Sequence, residues 1–220
     1  MTHTRAAAFA DRDTPRIFCI GRNYAKHIAE LNSALPGAEC VIFMKPLSSL
    51  VAPDEALMLP TDRGEIHHEA EVVIEIGRSG RDIHSDSARD HIAALGLGLD
   101  LTARDVQTEL KSAGEPWERA KAFEQSAPLG PMTLLTDDID LDDLRFELAV
   151  DGQTRQAGHT ANMMVGIAGL VAVVSRTWTL RPGDLIFTGT PEGVGPIAPG
   201  QQLRLSGPQF ETASWAVETA

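Results

Sequence analysis

Apolar residues in this 220-residue chain arrive in short runs that proline and glycine keep interrupting, and this punctuation limits the possible folds more than any other feature. The 13 prolines and 19 glycines separate Ile17-Phe18-Cys19-Ile20, Cys40 to Met44, Glu69 to Gly77, Leu95 to Leu101, Phe146 to Val150 and Leu185-Ile186-Phe187. Each of these runs has the length of a strand, and the glycine-rich Leu95 to Leu101 suits one packed closely against another backbone. Asp151-Gly152 predicts a tight hairpin turn, with Gln153 to Gln156 returning beside Phe146 to Val150.

Helical signals are few. Asn23 can cap a short helix reaching about Leu31, and Ser85 or Asp86 can cap one running to about Leu95. Thr102 can open a third, carrying Arg104 and Gln107, and Met163 to Val174 reads as a buried helix. Many short strands with few helices predict a mixed α+β, β-rich fold rather than a doubly wound one. The length suits a single domain over residues 1–220, with residues 1–14 as a flexible N-terminal arm.

Charge narrows the partners. A net charge of -12 and a pI near 4.9 argue against nucleic acid or an anionic membrane surface. Met1 to Asp13 lacks the apolar stretch of an export signal, and Met163 to Val174 falls short of the ~20 residues that span a bilayer. Cys19 and Cys40 have no paired or ligand-like spacing and read as reduced thiols. A cytoplasmic location is the expectation.

The chemistry concentrates in two segments. Along a strand, Glu69 and Glu71 project to one face while Ala70, Val72, Ile74 and Ile76 face the core. Alone, this is what any half-solvated strand shows. Asp100 shifts the balance, because an aspartate ending a glycine-rich apolar run is costly to bury unless a positive charge meets it. Three carboxylates form a hard oxygen set for Mg2+, Mn2+ or Ca2+, with an Asp100–Arg104 ion pair as the purely structural alternative. His67 or His68 joining the set would make a zinc site conceivable, although the absence of cysteine favours the harder ions.

Other residues are weaker signals. His27 and Glu30, three apart on a helix, would let a carboxylate orient an imidazole as a general base, although a solvated His and Glu pair is commoner. Lys45 and Lys121 are surface cations on frequency alone, and each could instead fix a carboxylate. The loop Thr188 to Gly195 has three glycines whose N–H groups could hold an anion, and it carries no dinucleotide fingerprint.

Five blocks together resemble the fumarylacetoacetate hydrolase family, particularly its small acylpyruvase-like members: Gly21-Arg22-Asn23-Tyr24-Ala25-Lys26-His27, Phe43-Met44-Lys45-Pro46, His67-His68-Glu69-Ala70-Glu71, Asp100 to Gln107 and Thr188 to Gly195. They occur in the family's order and span about Ile17 to Gly200. The resemblance implies a roll of mixed β-sheets, usually a homodimer. It also implies Glu69, Glu71 and Asp100 as ligands of Mg2+ or Mn2+, and a His27–Glu30 dyad on a lid-like segment acting with Lys121. Arg104, Gln107 and Thr190 match positions lining the substrate pocket, and Arg22, Tyr24 and Lys45 are grouped with them as substrate contacts.

The activity implied is hydrolysis of a carbon–carbon bond in a 2,4-diketo acid such as fumarylpyruvate or acetylpyruvate. In that scheme His27, aligned by Glu30, activates water and a pyruvate enolate leaves. Oxaloacetate decarboxylation and oxaloacetate keto–enol tautomerisation draw on the same metal–enolate chemistry. A noncatalytic small-molecule-binding protein is the more distant alternative.

Overall fold

A computed structural model describes residues 14–30 and 40–220, the side chains of residues 28–30 excepted. Apart from Thr14, the expected N-terminal arm lies outside the described residues, as does the lid stretch beyond Glu30. The described chain is rich in strands, with few helices.

The sheet that carries the site has six strands in the order Thr133–Leu134, Ile92–Leu99, Ala70–Ile76, Leu185–Phe187, Ile17–Gly21 and Val41–Lys45. Ile17–Gly21 runs parallel to Leu185–Phe187 and the other pairings are antiparallel. A five-stranded sheet covers one side of the core, ordered Gln153–His159, Arg145–Val150, Gln202–Gly207, Phe210–Thr219 and Leu57–Leu59. Asp151 and Gly152 both have positive φ, 51° and 75°, as the expected two-residue hairpin turn requires.

Ala70–Ile76 is buried on both faces, which corrects the half-solvated strand expected from its alternation. Val72, Ile74 and Ile76 enter the larger core with Phe18, Leu95 and Ile186. Val73, on the face Glu71 shares, packs in a second core with Ile17, Cys19, Phe43 and Phe187. The glycines of the neighbouring strand make this possible. A Cβ on Gly98 would lie 2.8 Å from Phe187 and 2.9 Å from Val73, and one on Gly96 would lie 2.9 Å from the Pro131 carbonyl.

Three helix expectations change. Ser85–His91 is a 3-10 turn capped by His84, and Ile92 already pairs with Ile76, so strand pairing overrides the local helical pattern. The helix after Thr102 begins at Arg104 with Ala103 at its cap, because the Thr102 hydroxyl donates instead to the Asp100 carbonyl. The buried helix spans Ile167–Thr177; residues ahead of it are tied to Asn23, whose carbonyl accepts from Met164 N and whose side chain accepts from Val165 N. Asn23 thus joins two segments through its amide, with Nδ2 donating to Val165 O and Thr188 O.

Candidate metal centre and cleft

Glu69 sits in a one-residue break between the strands Ile66–His68 and Ala70–Ile76. The break is held by Gln156, whose Oε1 accepts from Ala70 N at 2.9 Å and lies 2.8 Å from His68 Nδ1. Asp100 N donates to Glu69 O at 2.8 Å, just beyond the last ladder pair, Ala70 with Leu99. Glu71 follows on the same face. The three carboxylates converge with one oxygen of each within 4.8 Å of the others, and all three are buried.

Cations answer two of the three acids. Lys121 Nζ donates to Glu69 Oε2 at 2.7 Å and to Asp100 Oδ2 at 2.6 Å. Arg104 Nη2 donates to Glu69 Oε1 at 2.5 Å, so the expected structural pair with Asp100 is replaced by one with Glu69. Burial by itself would raise the Glu69 pKa, but the Lys121 and Arg104 charges outweigh it and hold the group well below the usual carboxylate range.

Glu71 is the opposite case. Among the described residues no lysine or arginine pairs with it; its Oε2 accepts from Gly189 N at 2.7 Å. Burial, then the neighbouring charges of Asp100 and Glu69, push its pKa well up. Gly189 can offer that N–H because its φ is 99° and a Cβ would lie 2.7 Å from Asn23 Cβ. The glycine loop therefore holds a carboxylate of the chain itself.

Lys45 departs furthest from its expected place. It is buried rather than a surface cation, and it does not line the adjoining cleft. Its fully buried Nζ lies 2.9 Å from Asp100 Oδ1 and donates to the carbonyls of Lys121, Leu101 and Ser126 and to Ser126 Oγ. Closure of the 121–126 segment over Lys45 is tertiary and leaves no trace near residue 45. Asp100 Oδ1, although close to Lys45, is buried without a hydrogen bond.

A narrow cleft opens beside Glu69 and is lined also by Lys121, Arg104, Gln107, His27 and Arg22. Arg104 Nη1 donates to Gln107 Oε1 at 2.6 Å, which fixes both heads. Glu30, the expected partner of His27, has a side chain outside the described residues.

Tyr24 and Thr190 do not line the cleft. The Tyr24 hydroxyl is buried without a hydrogen bond, and burial with the charges of Glu71 and Glu192 raises its pKa. Thr190 Oγ1 donates to Ala70 O at 2.9 Å and accepts from Gln156 Nε2 at 2.8 Å, so it braces the strand behind the acids. His67 and His68 stand apart from the triad: His68 is spent on Gln156, burial lowers its pKa, and His67 meets Glu65 at 3.2 Å. The zinc alternative is corrected accordingly.

Sequence reasoning passed over Lys111 and Trp117, which also line the cleft. Lys111 had a usable signal, since Arg104, Gln107 and Lys111 recur on one helix face. Gln156 had none, lying in an ordinary hairpin strand.

Three buried carboxylates around one point, framed by lysines beneath a cleft, form an all-oxygen donor set that could hold a hard divalent cation. The chain belongs to the fumarylacetoacetate hydrolase family: the model for the fumarylacetoacetate (FAA) hydrolase C-terminal region matches residues 16–217. It is 42% identical over 207 residues to the oxaloacetate tautomerase YcgM of Escherichia coli K12, covering 93% of each chain. It is 39% identical over 190 residues to a mitochondrial oxaloacetate decarboxylase of Dictyostelium discoideum, covering 86% of this chain and 87% of the relative. The crystal structure of fumarylpyruvate hydrolase from Pseudomonas aeruginosa with Mn2+ and pyruvate superposes with a TM-score of 0.88 at 36% identity, over 94% of this chain and 91% of that one.

Proposed function

We propose that this chain is a Mg2+- or Mn2+-dependent enzyme that enolises small 2-oxo acids, with keto–enol exchange of oxaloacetate as its reaction. The observation that carries the reading is Glu71. A buried carboxylate that no lysine or arginine pairs with among the described residues, beside two that have such partners, leaves a deficit of positive charge where three oxygens converge. Asp100 Oδ1, which faces Lys45 at 2.9 Å but accepts no hydrogen bond, is the second donor that fits an ion. Glu69, Glu71 and Asp100 would hold it, and all-oxygen donors suit Mg2+ and Mn2+ alike.

When bound there, a divalent ion supplies Lewis-acid stabilisation for negative charge developing on a 2-oxo group. The chain supplies the rest. Arg104 and Gln107, locked to each other, orient the substrate carboxylate, and Lys121 adds a fixed positive charge at the same end of the cleft. His27, buried in the cleft wall, takes the proton from substrate C3 and returns it to the enol oxygen. Enolisation needs no group beyond these, and the relatives named for oxaloacetate chemistry support it.

Hydrolysis of acylpyruvates is the second reading, favoured by the likeness to the fumarylpyruvate hydrolase. It asks more of the site, namely a water activated by His27 with Glu30 behind it. Enol oxaloacetate decay, pyruvate release from oxaloacetate, and cleavage of acetylpyruvate and fumarylpyruvate, each followed with Mg2+ and with Mn2+, separate the readings. Metal-dependent acceleration of enol decay is expected; diketo-acid cleavage without it would replace the first reading by the second.

A further inference from the structure

The cleft has a wall that enolisation does not use. Arg104, Gln107 and Lys111 lie on one face of the Arg104–Ala113 helix, and all three line the cleft. Arg104 serves Glu69, while Lys111 stands seven positions on, about 10 Å further along the helix axis. There Lys111 Nζ lies 5.1 Å from the centre of the Trp117 ring, and the Arg22 guanidinium carbon lies 5.8 Å from it.

Two cations on one indole repel each other, and only the ring itself and the charge of Glu69 offset the cost. Among the described residues no carboxylate pairs with Arg22 or Lys111, and Arg22 Nε is buried with no hydrogen-bond partner. Arg22 is also held at φ 63°, a left-handed backbone unusual for a non-glycine residue and frequent at functional sites. Burial, followed by the charges of Arg104 and Arg22, brings the Lys111 pKa down to about 8. A positive wall with so little compensation is complementary to an anion.

We infer that Lys111 and Arg22, seated on Trp117, form a subsite for a second carboxylate at the far end of the substrate, making 2-oxo diacids the preferred class. The inference rests on the proposed function for the placement of the first carboxylate. It adds Lys111 as a specificity residue with no part in moving protons.

Calorimetric titration of the Mg2+-loaded protein with 2-oxoglutarate and with 2-oxopentanoate tests it, since these five-carbon acids differ only at the far end. The wild type is expected to bind 2-oxoglutarate about tenfold or more tightly than 2-oxopentanoate, the worth of one charge-assisted hydrogen bond. Lys111→Met should erase most of that preference by weakening the diacid alone, and Lys111→Arg should keep it. Lys111→Gln serves if the methionine variant fails to fold. Equal affinity of the wild type for the two acids, no binding of either, or a preference that survives loss of the lysine overturns the inference. A Lys111-dependent preference in a protein that enolises nothing would instead sink the functional reading and leave the subsite standing.

Discussion

At the carboxylate end of the cleft, Glu69 and Asp100 are buried and clamped by Lys45, Lys121 and Arg104 at distances of 2.5–2.9 Å. At the Trp117 end, Lys111 is only partly buried and Arg22 and Lys111 share a ring with no acid between them. The first region is over-determined: each charge is fixed by several others, which suits a centre whose groups must not reorganise as charge develops. The second is under-compensated, which suits recognition, because the missing charge can arrive with the ligand. Removing a group should therefore abolish chemistry at one end and shift affinity at the other.

Glu71→Gln is expected to strike turnover and ion binding together. With one oxygen donor removed, turnover should fall by at least about 100- to 1000-fold. Mg2+ at about 100 times its dissociation constant should stabilise the wild type by about 2.7 kcal/mol, raising its melting temperature by about 5–10 °C, and that rise should vanish in the variant. Without metal the variant should melt no lower than wild type, because among the described residues the charge removed is paired with no lysine or arginine. An intact Mg2+ response in Glu71→Gln would dissolve the distinction between Glu71 and its two neighbours.

His27→Asn should cost about 100- to 10,000-fold in kcat for enolisation, with the Mg2+-induced rise in melting temperature retained. Those two readouts separate proton transfer from ion binding. Full turnover in this variant would assign the proton to another group.

Lys45→Met probes the clamp itself. Removing a fully buried cation takes a positive charge from beside Asp100, and the Leu101, Lys121 and Ser126 carbonyls are left without their common donor. Chemical denaturation should register about 3–5 kcal/mol of destabilisation. A destabilisation below about 1 kcal/mol, the range of exposed pairs, would mean that the carboxylate end is not over-determined.

The same contrast governs what is legible in the sequence alone. Asp100 was visible because an acid ending an apolar, glycine-rich run violates a local rule, and it drew in Glu69 and Glu71, which are ordinary on their own strand; the Asp151-Gly152 turn was visible because its backbone demands those residues. Family membership followed from five blocks taken together. Lys45, Thr190 and Gln156 have roles that depend on segments far away: residues 121–126 close over the lysine, and Gln156 reaches Ala70 across 86 positions. Ser85 to Leu95 misled for the reverse reason, its local pattern being overruled by the pairing of Ile92 with Ile76. Lys111 was legible by helical spacing, but only once the helix was known to line a cleft.

The smallest effect belongs to Trp117. The ring contributes to two cation–π interactions, each worth about 0.5–1 kcal/mol when partly exposed, and it packs on Phe43 with ring centres 6.1 Å apart. Trp117→Leu keeps much of the apolar packing and removes the π face. Arg22 and Lys111 would retain their charge without the surface that holds them together. KM for a diacid such as oxaloacetate should then rise about two- to fivefold for each cation–π interaction removed, with kcat unchanged. A fall in kcat at constant KM would instead place the Trp117 ring among the groups that act on the reacting atoms, and the two ends of the cleft would no longer divide chemistry from recognition.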